Sequence, residues 1–435
     1  MKILINKTLI SLGIFALLVN ITSCKKDYSN PNAAPDDQVF SSARGLTAAA
    51  IGLQRTYSLS RAGSIYNIVT ANGFVTNELI ILNTGNTSEA QLNTGGPSVD
   101  GTNTIIANIW ANASKIIFDA DRIINASAAL PDQAYASGLI GYVSINKAMA
   151  LGSLAMFWEK VPDTVGTNVS FSDRMQGFAK AIAVIDRALA FIQATPISAS
   201  FAGNIPPGTD IVNTLYALKA RYSLFAGNYT DALAAANLVD LTKKSTMNFD
   251  AVSINPIYET ATSTNNVFQP IDSTFGLPVA QRPSLTDKRV PFYLTINAAI
   301  APRFRVGGFG GISTSPWPYY LPGEITLIKA EAYARQATPD LANAVIELNK
   351  VVTKKSSDDP FGIGADEPPY LGPLTQTDIL DEIYRQRCIE LFMSGLKLED
   401  MRRFARPVAE RKRNFFPYPF RERDNNPNTP PDPPF

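Results

Sequence analysis

The residues of this chain offer little that could do covalent chemistry. There is no histidine, which removes Ser-His-Asp and Cys-His nucleophilic pairs, His-rich metal sites and the commonest general base. Two cysteines, Cys24 and Cys388, cannot form a four-cysteine zinc site. Cys388 shares one helical face with Leu380, Tyr384 and Leu391, the place of a small core residue rather than of a nucleophile. The carboxylate pairs Asp358/Asp359 and Asp366/Glu367 stand in Pro- and Gly-rich loops with no glycosidase spacing and read as solvated charges. The run Gly307-Gly308-Phe309-Gly310-Gly311 lacks the Gly-Lys-Ser/Thr that a phosphate loop requires. No catalytic residue, metal ligand or cofactor is expected.

What remains is binding chemistry. Trp317 and Tyr319 lie in Ser-Pro-Trp-Pro-Tyr-Tyr-Leu-Pro, where prolines stiffen the backbone. An exposed ring held there would stack on a flat apolar face, such as that of a sugar. Phe268 lies in a similar irregular stretch. Tyr66, Asn72 and Asn77, in an Asn- and Thr-rich segment read as loop, would offer amide and hydroxyl groups to sugar hydroxyls. The competing reading is that these side chains plug loops onto a scaffold. Trp110 and Trp158 fall within helical apolar patterns and read as core.

Composition sets the frame for these residues. At 435 residues with 45% hydrophobic and 18% charged side chains, the chain can bury a sizeable core. Lysine plus arginine number 39 against 38 acids, so no basic excess points to nucleic acid. The basic run from Arg402 through Arg403, Arg406, Arg411 and Lys412 to Arg413 reads as a solvated or partner-facing surface.

The first residues form an address label. Lys2 and Lys7 form a basic start ahead of an apolar stretch from Leu9 to Val19, followed by Ile21-Thr22-Ser23-Cys24. This resembles the lipobox of a bacterial lipoprotein. It implies a signal peptide over 1–23, acylation of Cys24 and a membrane attachment by lipid. Residues 24–40 read as a polar, Pro-broken tether, and Cys388 is left without a disulfide partner.

Residues 41–435 read as one α-helical domain with a loop-rich insert at about 242–320. Small residues recur at fixed helical spacing. Ala220 and Ala232 stand twelve apart, as do Ala332 and Ala344, and each second alanine opens an i, i+4, i+7 apolar series. A third copy runs from Gly141 to Phe157 and resumes at Ala181, Ile185 and Ala188 after about twenty inserted residues; a fourth, weaker one holds Ala113, Ile117 and Ala120. The spacing resembles the tetratricopeptide helix pair. The fold expected is all-α: four tetratricopeptide-like helix pairs with long loop-rich insertions. Thr338 and Pro339 read as the start of the last second helix, and Thr377 as the cap of the helix that follows. Residues 61–105, 242–320, 355–376 and 407–435 read as irregular.

At this point the chain resembles the SusD/RagB family of outer-membrane nutrient-binding lipoproteins. The resemblance rests on the lipobox, on the Trp110 to Asn125 helix, on Phe157-Trp158-Glu159-Lys160-Val161-Pro162, on Asp287-Lys288-Arg289, and on Glu331-Ala332. The most specific stretch runs from Arg385 to Arg403, where Arg387, Glu390, Leu391, Gly395, Asp400 and Arg403 match the family pattern. There Ser394 replaces a glutamate and Lys397 an arginine, and the second exchange speaks against a buried ion-pair network at this place. The resemblance implies a SusD-like protein, lipid-anchored at the outer membrane and exposed at the cell surface. It would capture a nutrient, most often an oligosaccharide, and deliver it to a SusC-like TonB-dependent transporter. Peptide capture, or a helical envelope scaffold that binds other proteins, are the alternatives.

Overall fold

The computed structural model describes residues 39–263 and 266–435; Cys24, the signal segment and nearly all of the tether lie outside the described residues. Twelve helices form the frame: α1 (Ala43–Ser58), α2 (Ser64–Val75), α3 (Thr87–Thr94), α4 (Thr104–Ala128), α5 (Gln133–Phe157), α6 (Arg174–Ala194), α7 (Ile211–Phe225), α8 (Tyr229–Ala236), α9 (Pro322–Arg335), α10 (Leu341–Val352), α11 (Gln376–Glu390) and α12 (Lys397–Arg403).

Helix α5 explains the rest. Its sequence is apolar or small all round, and every residue from Tyr135 to Phe157 is buried, as an interior helix requires. It is long and apolar enough to cross a membrane, but its apolar window is wholly enclosed by the protein. Glycine is needed where neighbours press closest: a Cβ on Gly152 would lie 2.3 Å from the Tyr222 ring of α7. Around α5 pack α4 on one side and α6 on the other, and α7 against both α5 and α6. The series continues as α7 with α8, α8 against α9, and α9 with α10. Ala220, Ala232, Ala332 and Ala344 are all fully buried, as are Ala120, Ala181, Ile185 and Ala188. The twelve-residue spacing therefore marks close helix contacts, and the all-α repeat scaffold is as expected. The insertion between α5 and α6 is a small hairpin, β2 (Lys160–Pro162) with β3 (Phe171–Asp173).

Three local expectations are corrected. Helix α10 starts later than Thr338: Asp340 caps it, accepting from the Asn343 amide at 3.0 Å. Thr375, not Thr377, caps α11; its hydroxyl accepts from the Asp378 amide at 3.2 Å, the Thr-x-x-acid spacing that a capping box uses. Much of the segment 61–105 is helical, since α2 and α3 occupy it and all twelve residues of α2 are buried. Gly395, five residues beyond the end of α11, takes a left-handed φ of 84°.

The insert has little helix. It is stitched by three short antiparallel pairs: β1 (Leu79–Ile81) with β5 (Phe268–Pro270), β4 (Thr246–Met247) with β8 (Trp317–Pro318), and β6 (Leu294–Ile296) with β7 (Phe304–Val306). Two of the three tie an insert strand to another element rather than to its chain neighbour. The Pro-rich C-terminal segment is held by the indoles of the scaffold: Trp158 Nε1 donates to the Pro417 carbonyl at 3.0 Å and Trp110 Nε1 to Glu422 at 3.0 Å.

Candidate functional site

Two sets of contacts fix the insert on the helices. The first is ionic. Arg289, fully buried, donates to both oxygens of Asp287 at 3.0 and 2.7 Å, to Glu390 at 3.2 Å and to Gln386 at 2.6 Å. Lys354 bridges Asp359 and Glu390, each at 2.6 Å. Burial works against the Lys354 charge, yet Glu390 and Asp359 hold its pKa above the ordinary lysine value. A second knot lies beside the first. Arg387 pairs with Asp400 at 3.0 Å, Arg403 bridges Asp400 and Glu331, and Arg335 joins Glu331 at 2.9 Å. The buried network is therefore present despite Lys397, which instead donates to the Phe275 carbonyl at 2.7 Å. Asp359 is likewise a buried partner and not a solvated charge. The basic run is largely internal too: Arg402 pairs with Glu399, Arg406 with Glu410, and Arg413 is buried against backbone carbonyls.

The second set is aromatic. Phe275 stacks on Phe392 with ring centroids 4.3 Å apart, Tyr293 meets both rings edge-on, and Phe309 continues the chain to Trp317 at 6.3 Å. The Tyr293 hydroxyl donates to the Glu390 carbonyl at 2.5 Å. Edge and offset contacts of this kind add to the area they bury.

These contacts decide the fate of the residues proposed from sequence. Trp317 is not an exposed ring. It is 9% exposed, pairs with Met247 in the β4–β8 ladder and walls a narrow pocket of about 70 Å³, room for water but not for a sugar. Tyr319 is buried, its hydroxyl accepting from Gln54 Nε2 at 2.8 Å and its carbonyl from Arg221 at 2.8 Å. Phe268 is fully buried between Tyr66 and Phe74. Tyr66 donates to Glu89 at 2.5 Å, and burial pushes its hydroxyl pKa well up. Asn72, also fully buried, donates to Glu78 at 2.8 Å and accepts from the Leu398 amide at 2.7 Å. Asn77 is half-buried, in a left-handed turn, and donates to the Glu410 carbonyl at 3.1 Å. All six hold loops and helices together. Cys388 is in the core as expected, its thiol pushed up to about 12 by burial.

One open concavity lies elsewhere on the insert, between residues 261–263 and 266–269 and the β6–β7 hairpin. It has a volume of about 390 Å³ and is lined by Thr262, Asn266, Gln269, Thr295, Asn297 and Arg305 together with the aliphatic Ala261, Ile300 and Val306. Its polar wall is built rigidly. Gln269 is buried and fixed at both ends: its Oε1 accepts from the Val306 amide at 2.9 Å, and its Nε2 donates to the Ala261 carbonyl and to Asn266 Oδ1 at 3.0 Å. The same Asn266 oxygen accepts from Arg305 Nη1 at 2.9 Å. Amide, hydroxyl and guanidinium groups beside aliphatic side chains suit a hydroxyl-rich small ligand. None of these residues was singled out from the sequence. The signal that would have found them is the pair Leu-Thr-Ile and Phe-Arg-Val flanking an Asn/Ala/Pro turn, a hairpin pattern.

Solved structures resemble the whole arrangement. A SusD homolog from Bacteroides thetaiotaomicron VPI-5482 superposes with a TM-score of 0.71 over 92% of this chain and 99% of its own, at 12% identity. The chain has a SusD-like fold. A SusD-like carbohydrate binding protein from Bacteroides fragilis NCTC 9343 gives 0.67 over 90% and 99% of the two chains at 13% identity. A SusD superfamily protein from Bacteroides vulgatus ATCC 8482 gives 0.66 over 90% and 99% at 14%. No family model matches this chain, and no curated protein is similar to it. The SusD-like architecture thus persists here at identities where only the fold is shared.

The position of Trp317 gives a direct check. Replacing it with alanine removes a buried wall between β8 and Phe309, and should destabilise the protein by about 3 kcal/mol through lost contacts and an enlarged cavity. Thermal melting measures this; an unchanged melting temperature would return the ring to solvent and to the list of stacking candidates.

Proposed function

We propose that this SusD-like chain captures a glycan at the outer cell surface and hands it to a SusC-like TonB-dependent transporter. The observation that carries the reading is the pocket of Asn266, Gln269, Thr295, Asn297 and Arg305, an open and rigid polar concavity on the insert of a SusD-like scaffold. That one structural neighbour over 90% of the chain is a carbohydrate binding protein supports it. The role is binding rather than catalysis: the sequence has no histidine, and the conspicuous carboxylate Asp359 is occupied by Lys354. The purified protein titrated calorimetrically against a panel of neutral and acidic oligosaccharides and of peptides should bind at least one oligosaccharide. Binding confined to peptides would replace glycan with peptide capture.

Delivery at the membrane surface requires an anchor, and the Ile21-Thr22-Ser23-Cys24 motif supports one. Cys24→Ala should abolish labelling by a fatty-acid analogue and leave the precursor unprocessed. Undiminished label in the variant would rule out acylation at this residue.

A further inference from the structure

The pocket on the insert has one charged lining residue among those described, Arg305. Its surroundings differ from those of three buried or nearly buried arginines that pair with acids. Arg221 forks onto Glu324 at 2.6 and 2.7 Å, Arg289 onto Asp287 and Glu390, and Arg403 onto Glu331 and Asp400. Arg305 pairs with no carboxylate among the described residues. Nη1 is committed to the neutral Asn266 amide, and Nε is buried with no hydrogen-bond partner. Nε thus faces protein, and Nη2 is the nitrogen left for a ligand. It carries two N–H groups and, with no acid beside it among the described residues, a positive charge that an oxyanion would neutralise.

The guanidinium is also held in place before any ligand arrives. Asn266 is fixed by Gln269, and Gln269 by the Val306 backbone, so little freedom is lost on binding. Arg303, exposed just before β7, lies over the Phe304 ring at 4.9 Å. A neutral sugar hydroxyl would leave the Arg305 charge without a counter-ion, whereas an oxyanion makes a charge-assisted hydrogen bond with it.

We propose that Arg305 makes this pocket selective for anionic sugars, those bearing a carboxylate or a sulfate, over neutral ones. The proposal rests on the glycan-capture reading and sharpens it. A volume of about 390 Å³ falls at the small end of ligand pockets, roughly 300–1,000 Å³. The recognised unit is therefore a terminal or branching sugar residue rather than a long chain laid flat.

The test is a calorimetric comparison on the full-length protein in detergent. The probes are an oligogalacturonate, the same oligosaccharide with its carboxylates methyl-esterified, and a sulfated oligosaccharide with its desulfated form. The anionic member of one pair should bind about tenfold or more tighter than its neutral form, the scale of one charge-assisted hydrogen bond. Salt should narrow the gap. Preference within the galacturonate pair identifies a carboxylate ligand, and preference within the sulfated pair a sulfate. Arg305→Gln should abolish the preference while the melting temperature stays near wild type, and Arg305→Lys should restore it only in part. Equal binding of both members in each pair, or a preference that survives Arg305→Gln, overturns the selectivity and leaves glycan capture standing. Failure to bind any sugar of the wider panel overturns glycan capture itself.

Discussion

Glu390 is where the helical scaffold and the loop-rich insert are joined. One carboxylate oxygen takes Lys354 and the other Arg289, and both cations bring a second acid, Asp359 and Asp287, into the same buried knot. The partners come from different parts of the chain: the insert, the segment after α10, and the end of α11. Burying so many charges is costly, and the cost is met only when every member is present with good geometry. The sequence makes room for it. A Cβ at position 323 would lie 1.8 Å from Glu390 Oε1, so Gly323 at the start of α9 is what lets the carboxylate sit against the helix.

From that joint the insert is laid out by short-range devices. The Tyr293 hydroxyl reaches the Glu390 carbonyl, and the aromatic chain from Phe392 to Trp317 extends the seam across the scaffold. Three two-residue or three-residue ladders finish it. None of these ladders would be stable alone. The insert therefore derives its order from the scaffold, and it can carry a binding pocket of varied chemistry without altering the helix pairs. Its polar wall, Gln269 to Asn266 to Arg305, is rigid because it is backed by backbone groups of β7 and of the segment before β5.

The helical frame was legible because its physics is periodic. Close packing of α7 on α8 and of α9 on α10 demands small residues at repeated positions, and Ala220, Ala232, Ala332 and Ala344 record that demand in the sequence. The match through Arg387, Glu390, Asp400 and Arg403 was legible for a related reason: paired buried charges tolerate few replacements. The site was not legible. Trp317 sits between prolines whether its ring faces solvent or fills a seam, and only the β4–β8 pairing and Phe309 decide the matter. Tyr66 and Asn72 stand among Asn, Thr and Gly that suggest a loop, yet α2 is a buried helix whose polar groups bond to Glu89 and Glu78. Arg305 looks like any loop arginine until it is seen to have no acid beside it among the described residues. Lys397 shows the converse error: it bonds to the Phe275 carbonyl and stands outside the knot, whose ion pairs form without it.

The central claim is that the Glu390 knot holds the insert as a unit on an independently ordered scaffold. Hydrogen exchange of the Arg289→Met variant tests it most directly, because that change leaves Asp287 and Glu390 buried without their shared cation. The account predicts a large loss of protection, on the scale of about 3–5 kcal/mol for a broken buried pair, confined to amides of 258–320 and the β1–β5 ladder. Helices α5 and α6 should keep their protection. Loss spread evenly over α5, α6 and the insert, or no loss at all, would contradict it.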